Sequence, residues 1–265
     1  MSWLKKLFSK PPASAPTISP AAPADTPQSA GGGNEPYLGD LEKTGVLFQL
    51  FAIPREQRDE RWLAAFYAAA PMASFRAGDP QVHVGPDGFP YFVLLLPEPG
   101  KSFQCYVLTH MARDFLLAQG LGVVIEPGGG QPQWVLSHGD IVQLALLGSL
   151  EPQTASVQSS GREQLSAAEQ VLVGQPSESL LPLATRNVLR NYFSQHGVPD
   201  IQICLMSRMT PSGPDQSIVF DATLERFQSE EHYQGVMQSL AWFLPRHYRY
   251  SAMARSSLAN GFLPL

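Results

Sequence analysis

The sequence predicts an α+β protein of two α/β-sandwich-like units, set behind an amphipathic segment and a disordered linker. Three observations carry this. Apolar residues make up 44% of the chain and charged ones only 15%, enough to build a core and too few charges for a disordered polyelectrolyte. From Tyr37 to Met253, apolar runs of helical period alternate with short apolar runs of strand length, punctuated by Gly and Pro. The 265 residues accommodate two domains at roughly 100 to 200 residues each.

Residues 1–10, placed on a helix, gather Met1, Trp3, Leu4, Leu7 and Phe8 in one arc and Ser2, Lys5, Lys6, Ser9 and Lys10 in the other. Such a segment suits a lipid headgroup layer, each lysine contributing on the order of 1 kcal/mol on an anionic surface. A helix this short is unstable alone in water, so it needs a surface to fold on, whether lipid, a partner or its own body. Residues 11–36 are almost entirely Pro, Ala, Ser, Thr and Gly, and predict a tether.

The first folded unit is expected over 37–150. A helix covers 41–52 and stops before Pro54, and a second brings Trp62, Leu63, Phe66, Tyr67 and Ala70 to one face. Short strands are expected at 73–77, 81–84 and 91–96, with a turn at 85–88. Residues 103–108 read as strand or helix lead-in. A helix face of Met111, Phe115 and Ala118 follows, with Thr109 as cap and Gly120 at its stop. Strands at 121–126 and 133–136 flank the Gly128-Gly129-Gly130 turn. Ser137 and Asp140 then open a helix as a capping box rather than as parts of a hydrolase triad, whose members come from separate segments.

A polar linker, 151–165, leads to a second unit over 166–254. Its elements run strand 169–174, helix 180–196, strands 200–207 and 216–221, helix 230–244 and strand 248–253, with Ser229 as a cap. This β-α-β-β-α-β order is that of the ferredoxin-like, split βαβ arrangement. Residues 255–265 are left as a tail.

Two stretches together resemble the enhanced serine sensitivity, SseB-type, family of bacterial proteins. One is Gly120-Leu121-Gly122-Val123-Val124-Ile125-Glu126-Pro127-Gly128 with Trp134-Val135-Leu136 behind it. The other is Val171-Leu172-Val173-Gly174-Gln175-Pro176, followed by a helix and Asp200-Ile201-Gln202-Ile203. The resemblance covers roughly 37–253 and implies a two-domain α+β intracellular protein with no established reaction and no catalytic residues to carry over. The head and the tail fall outside it.

Several chemistries find no support. A net charge of −5 argues against a nucleic-acid partner. Cys105 and Cys204 lie far apart within apolar runs, which excludes a disulfide framework and points to a reducing compartment. The longest run of large apolar residues, Tyr91 to Leu96, is far short of the roughly 20 that cross a bilayer. Pro11 and Pro12 leave no room for a secretory signal. The six histidines and two cysteines show no metal-ligand spacing, and no cofactor or catalytic residue is expected. In the folded body Arg246, His247, Arg249 and Arg255 form a cationic constellation, which reads either as solvated strand-edge charge that discourages edge pairing or as a site for an anion or an acidic partner.

The expectation is therefore a non-enzymatic interaction protein with an unknown protein partner. Cytoplasmic, it attaches loosely through Met1, Trp3, Leu4, Lys5, Lys6, Leu7, Phe8 and Lys10 to an anionic membrane surface or an assembly there. Two competitors remain: an anion-binding or uncharacterised enzymatic domain using Arg246, His247, Arg249 and His196, and a sulfur-transfer enzyme using an exposed Cys105.

Overall fold

The computed structural model describes residues 39–126, 132–153, 171–210, 213–258 and 261–265. The amphipathic head and its linker lie outside the described residues, as do the triple-glycine turn and most of the 151–165 linker. The chain is an α+β protein with two sheets.

In the first unit, Asp40 caps α1 (Leu41–Ala52) by accepting from the Glu42 and Lys43 amides. Its carboxylate satisfies N–H groups that the first helical turn leaves unpaired. Asp59 does the same for α2 (Glu60–Ala69) through the Trp62 amide. The sheet follows chain order, β1 (Arg76–Val84), β2 (Pro90–Leu95), β3 (Gly122–Glu126) and β4 (Trp134–Leu136). Only β2 and β3 are parallel. Their crossover contains α3 (Leu108–Met111), a π-helical turn (Ala112–Leu116) and α4 (Leu117–Gln119). After β4 comes α5 (His138–Leu147), where Ser137 and Asp140 form the expected capping box.

Two local expectations change. The strands expected at 73–77 and 81–84 are one strand, β1, whose pairing with β2 shifts between Ala77 and Val82. Gly78, Asp79 and Pro80 absorb the irregularity, while Ala73 and Phe75 form isolated bridges to Asp40 and Tyr106. Thr109 does not cap α3. Val107 occupies that position, and the Thr109 hydroxyl donates instead to the Pro71 carbonyl at 2.8 Å.

The second unit has the expected element order: β5 (Val171–Gly174), α6 (Leu183–Gln195), β6 (Gln202–Thr210), β7 (Gly213–Phe220), α7 (Glu230–Phe243) and β8 (Arg249–Ala252). Its sheet, however, is not ferredoxin-like. The strands again lie in chain order, with β5 antiparallel to β6, β6 antiparallel to β7, and β7 parallel to β8. A split βαβ arrangement would set β5 parallel and adjacent to β7. Both edges of β7 are already taken, by the long β6 ladder and by β8, so β5 pairs with the outer edge of β6.

The tail is also part of the fold. β9 (Leu263–Pro264) pairs with the start of β6, and Phe262 and Leu265 are buried. Phe262 joins Cys204, Met206 and Val219 in a small core on one face of the second sheet, with Leu258 and Met253 against it. The second unit thus extends to residue 265.

The two units share a core. On β2 and β3, Phe92, Leu94, Val123 and Ile125 face the helices of the first unit. Their alternates Tyr91, Val93 and Val124 belong to a cluster with Leu189 and Phe193 of α6 and Leu240, Trp242 and Phe243 of α7. The central strands β2 and β3 are buried on both faces, while the edge strand β1 is largely exposed. No helix among the described residues is long and apolar enough to cross a membrane.

Candidate functional site

Of the four cationic candidates near the end of α7, Arg246 reaches furthest. Its guanidinium makes two 3.0 Å hydrogen bonds to the Asp140 carboxylate at the start of α5 in the other unit. Burial opposes the charge on Arg246, but the Asp140 carboxylate outweighs it and raises the arginine pKa. The capping carboxylate therefore also clasps the second unit. Beside it Gly139 lies so close to α7 that a Cβ would sit 2.0 Å from the Leu244 carbonyl oxygen.

His138 completes this junction. It is wholly buried, its ring stacked 5.9 Å from Trp242 and edge-on to Phe243. Neither imidazole nitrogen completes a hydrogen bond. Burial pushes its pKa down to about 4, countered only in part by the Leu121 backbone. Trp242 donates its indole N–H to the Tyr91 hydroxyl at 2.8 Å, and that hydroxyl donates to Asp87 at 2.5 Å. Burial, then the bond to Asp87, drives the Tyr91 pKa well above its ordinary value. Phe89 stacks on Trp242 at 4.2 Å. This is a packed junction between the units, with an ion pair at its rim.

The other three cationic candidates do not join Arg246 in one cleft. Arg249 pairs with Asp215 at 2.7 Å, and Arg208 shares the same carboxylate at 3.0 Å. Arg255 bonds to Asp221 and Asp200, which Arg226 also engages. His247 packs edge-on against Tyr248, and burial lowers its pKa. The candidates thus lie in separate places rather than one, and each of the three arginines holds a carboxylate of the chain. The signal was present in the sequence as Asp140, Asp200, Asp215 and Asp221, whose spatial pairing only the fold reveals.

His196 instead meets a residue that sequence spacing did not suggest. At the end of α6 its Nδ1 lies 3.1 Å from Nε2 of His232 in the first turn of α7. Burial and then the neighbouring His232 lower the His196 pKa. One imidazole must be neutral to accept the shared proton. Among the described residues no group of three or more His, Cys, Asp or Glu side chains is placed to hold a metal ion. Cys204 is buried and its thiol pushed up to about 11, while Cys105 is half-buried, its thiol donating weakly to the Tyr106 carbonyl at 3.9 Å.

Two surface features were missed. Along α1, Leu41, Gly45, Phe48 and Ala52 form one stripe of i, i+4, i+7, i+11 spacing turned away from the core, with Leu41 72% and Phe48 42% exposed. The opposite side of the helix, Thr44, Leu47 and Leu50, is buried. A helix apolar on both sides was the available sign. At its far end opens a cleft of about 370 Å³ lined by Phe51, Ala52, Ile53, Pro54, Arg58 and Gln133. Arg58 lies 4.6 Å above the Trp62 ring and donates to Ile53 and Gln133 oxygens. The eight site residues of the head lie outside the described residues. No family model, curated protein or solved structure matches this chain.

Proposed function

We propose that this chain is a non-enzymatic protein-interaction module resembling SseB-type proteins, held loosely at the inner face of the cytoplasmic membrane or at an assembly there by residues 1–10. The observation that carries the reading is the stripe on α1. Two large apolar side chains, Leu41 at 72% and Phe48 at 42% exposed, stand on the same face of α1, and apolar surface gathered on one face suits a contact. The ion pairs fit the reading: Arg246 clasps the two units through Asp140, and Arg249 and Arg255 hold Asp215 and Asp221 within the second unit.

Marginal, reversible attachment is what three lysines and one apolar arc supply. Sedimentation with sucrose-loaded vesicles, neutral against anionic, tests it on the full chain and on a chain lacking residues 1–10. The full chain should sediment with anionic vesicles only, and Leu4→Glu with Phe8→Glu should behave as the deletion. Equal sedimentation of all three proteins defeats the attachment.

A further inference from the structure

We infer that the α1 stripe is a docking site in cis for residues 1–10 of the same chain, so that the head alternates between its own body and whatever surface it attaches to. The inference uses the amphipathic reading of the head but does not depend on the head binding lipid.

Shape is the first argument. Gly45 sits mid-stripe with no atom within 4 Å of where its Cβ would be, between exposed Leu41 and Phe48. A helix laid along the stripe therefore meets a hollow flanked by two ridges, the arrangement that lets helix backbones approach closely. The stripe is about 17 Å long over its eleven residue steps. The apolar arc of the head, from Met1 to Phe8, spans about 10 Å and fits within it. The cleft beyond Ala52, walled by Phe51, Ile53 and Pro54, continues the track and has room for one bulky side chain.

The length of the connecting chain selects the occupant. Residues 11–38 join the head to Gly39, immediately before the cap of α1. With seven prolines in 28 residues, a segment of this composition can span up to about 90 Å when extended, so the stripe of about 17 Å lies within its reach. The head is thereby presented at a local concentration on the order of millimolar. A second copy at micromolar concentration competes poorly with that. Charge contributes at one end of the track only: the head carries three cations and no acid, and the cleft end is lined by Arg55, Glu56 and Arg58. Exposed Glu42 stands beside the stripe, within reach of a lysine on the outer face of a docked head.

Disulfide trapping in the full chain tests this. Lys10→Cys, at the border of the apolar arc, paired with Gln49→Cys at the flank of the stripe, in a Cys105→Ala background, should close an intramolecular disulfide at least about tenfold faster than Lys10→Cys paired with Leu172→Cys on β5. Gly45→Gln fills the hollow, meets no neighbour and favours the helix, so it should leave the fold intact and slow trapping. Leu4→Glu with Phe8→Glu should abolish the difference. Equal rates at the two positions, a dominant disulfide-linked dimer, or trapping indifferent to Gly45→Gln each overturn the inference. Trapping that persists in a chain that never sediments with anionic vesicles keeps the inference and removes the membrane reading; sedimentation without trapping does the reverse.

Discussion

The two sheets carry similar strands and bury them differently. In the first, β2 reads Tyr91-Phe92-Val93-Leu94-Leu95 without a polar residue, and odd and even positions enter different cores. In the second, β6 opens, after Gln202, with Ile203-Cys204-Leu205-Met206, whose alternates also enter two clusters, and then turns polar at Ser207 and Arg208, where Arg208 joins Arg249 on Asp215. An unbroken apolar strand reports burial on both faces, and such burial is expected of strands in parallel pairing such as β2–β3. An interrupted strand reports a face that must satisfy charge. The junction between the units exists because the first sheet cannot leave Tyr91, Val93 and Val124 to water.

That contrast can be broken most severely at Gly139. Gly139→Ala drives a methyl into the Leu244 carbonyl and should force the units apart, with a loss of about 3 kcal/mol or more in urea unfolding. Gly235→Ala in α7 meets nothing within 4 Å and should stabilise by about 0.5–1 kcal/mol. Equal effects of the two substitutions would show that the junction is not a tight contact.

A smaller effect separates the interior of the junction from its rim. His138 in the folded chain has a pKa of about 4, below its unfolded value of 6.5, so the unfolded chain binds the extra proton between them. Its contribution is fully present above pH 6.5 and falls as pH drops toward 4, by about 3 kcal/mol across that window. His196 and His247, also lowered, act in the same direction. His138→Phe should flatten the slope of stability between pH 6.5 and 4.5 by about one proton's worth, measured by urea titrations at each pH. An unchanged slope would place the titration elsewhere.

The smallest effect is expected at the rim. The Arg246 side chain is 58% exposed while that of Asp140 is 11% exposed. Arg246→Met should cost about 1 kcal/mol, with solvent screening holding the loss down and the capping box still satisfying the carboxylate. A loss rivalling that of Gly139→Ala would make the ion pair, rather than close packing, the source of cohesion between the units.

Helix boundaries, the capping box at Ser137 and Asp140, the cap at Ser229 and the β-α-β-β-α-β order were legible in the sequence, because caps, prolines and apolar period act over a few neighbouring residues. The sheet order of the second unit was not, since strand pairing depends on which edges stay free after β6, β7 and β8 have paired. Nor were the carboxylate partners of Arg246, Arg249 and Arg255, at separations of 106, 34 and 34 residues. The cationic string in the sequence suggested one site; the fold distributes it over three.

By itself the sequence determined the kind of protein this is: most of its helices and strands, the caps at Ser137 and Ser229, and that its first ten residues divide into an apolar and a basic side. Those properties are local and survive in any arrangement of the chain. Only the tertiary structure decided that the units share a core, that the tail pairs with the second sheet, that two distant histidines meet, and that α1 turns Leu41 and Phe48 away from the core. Each of these depends on which surfaces remain after long-range packing has claimed the others, and that competition is settled by the whole chain at once.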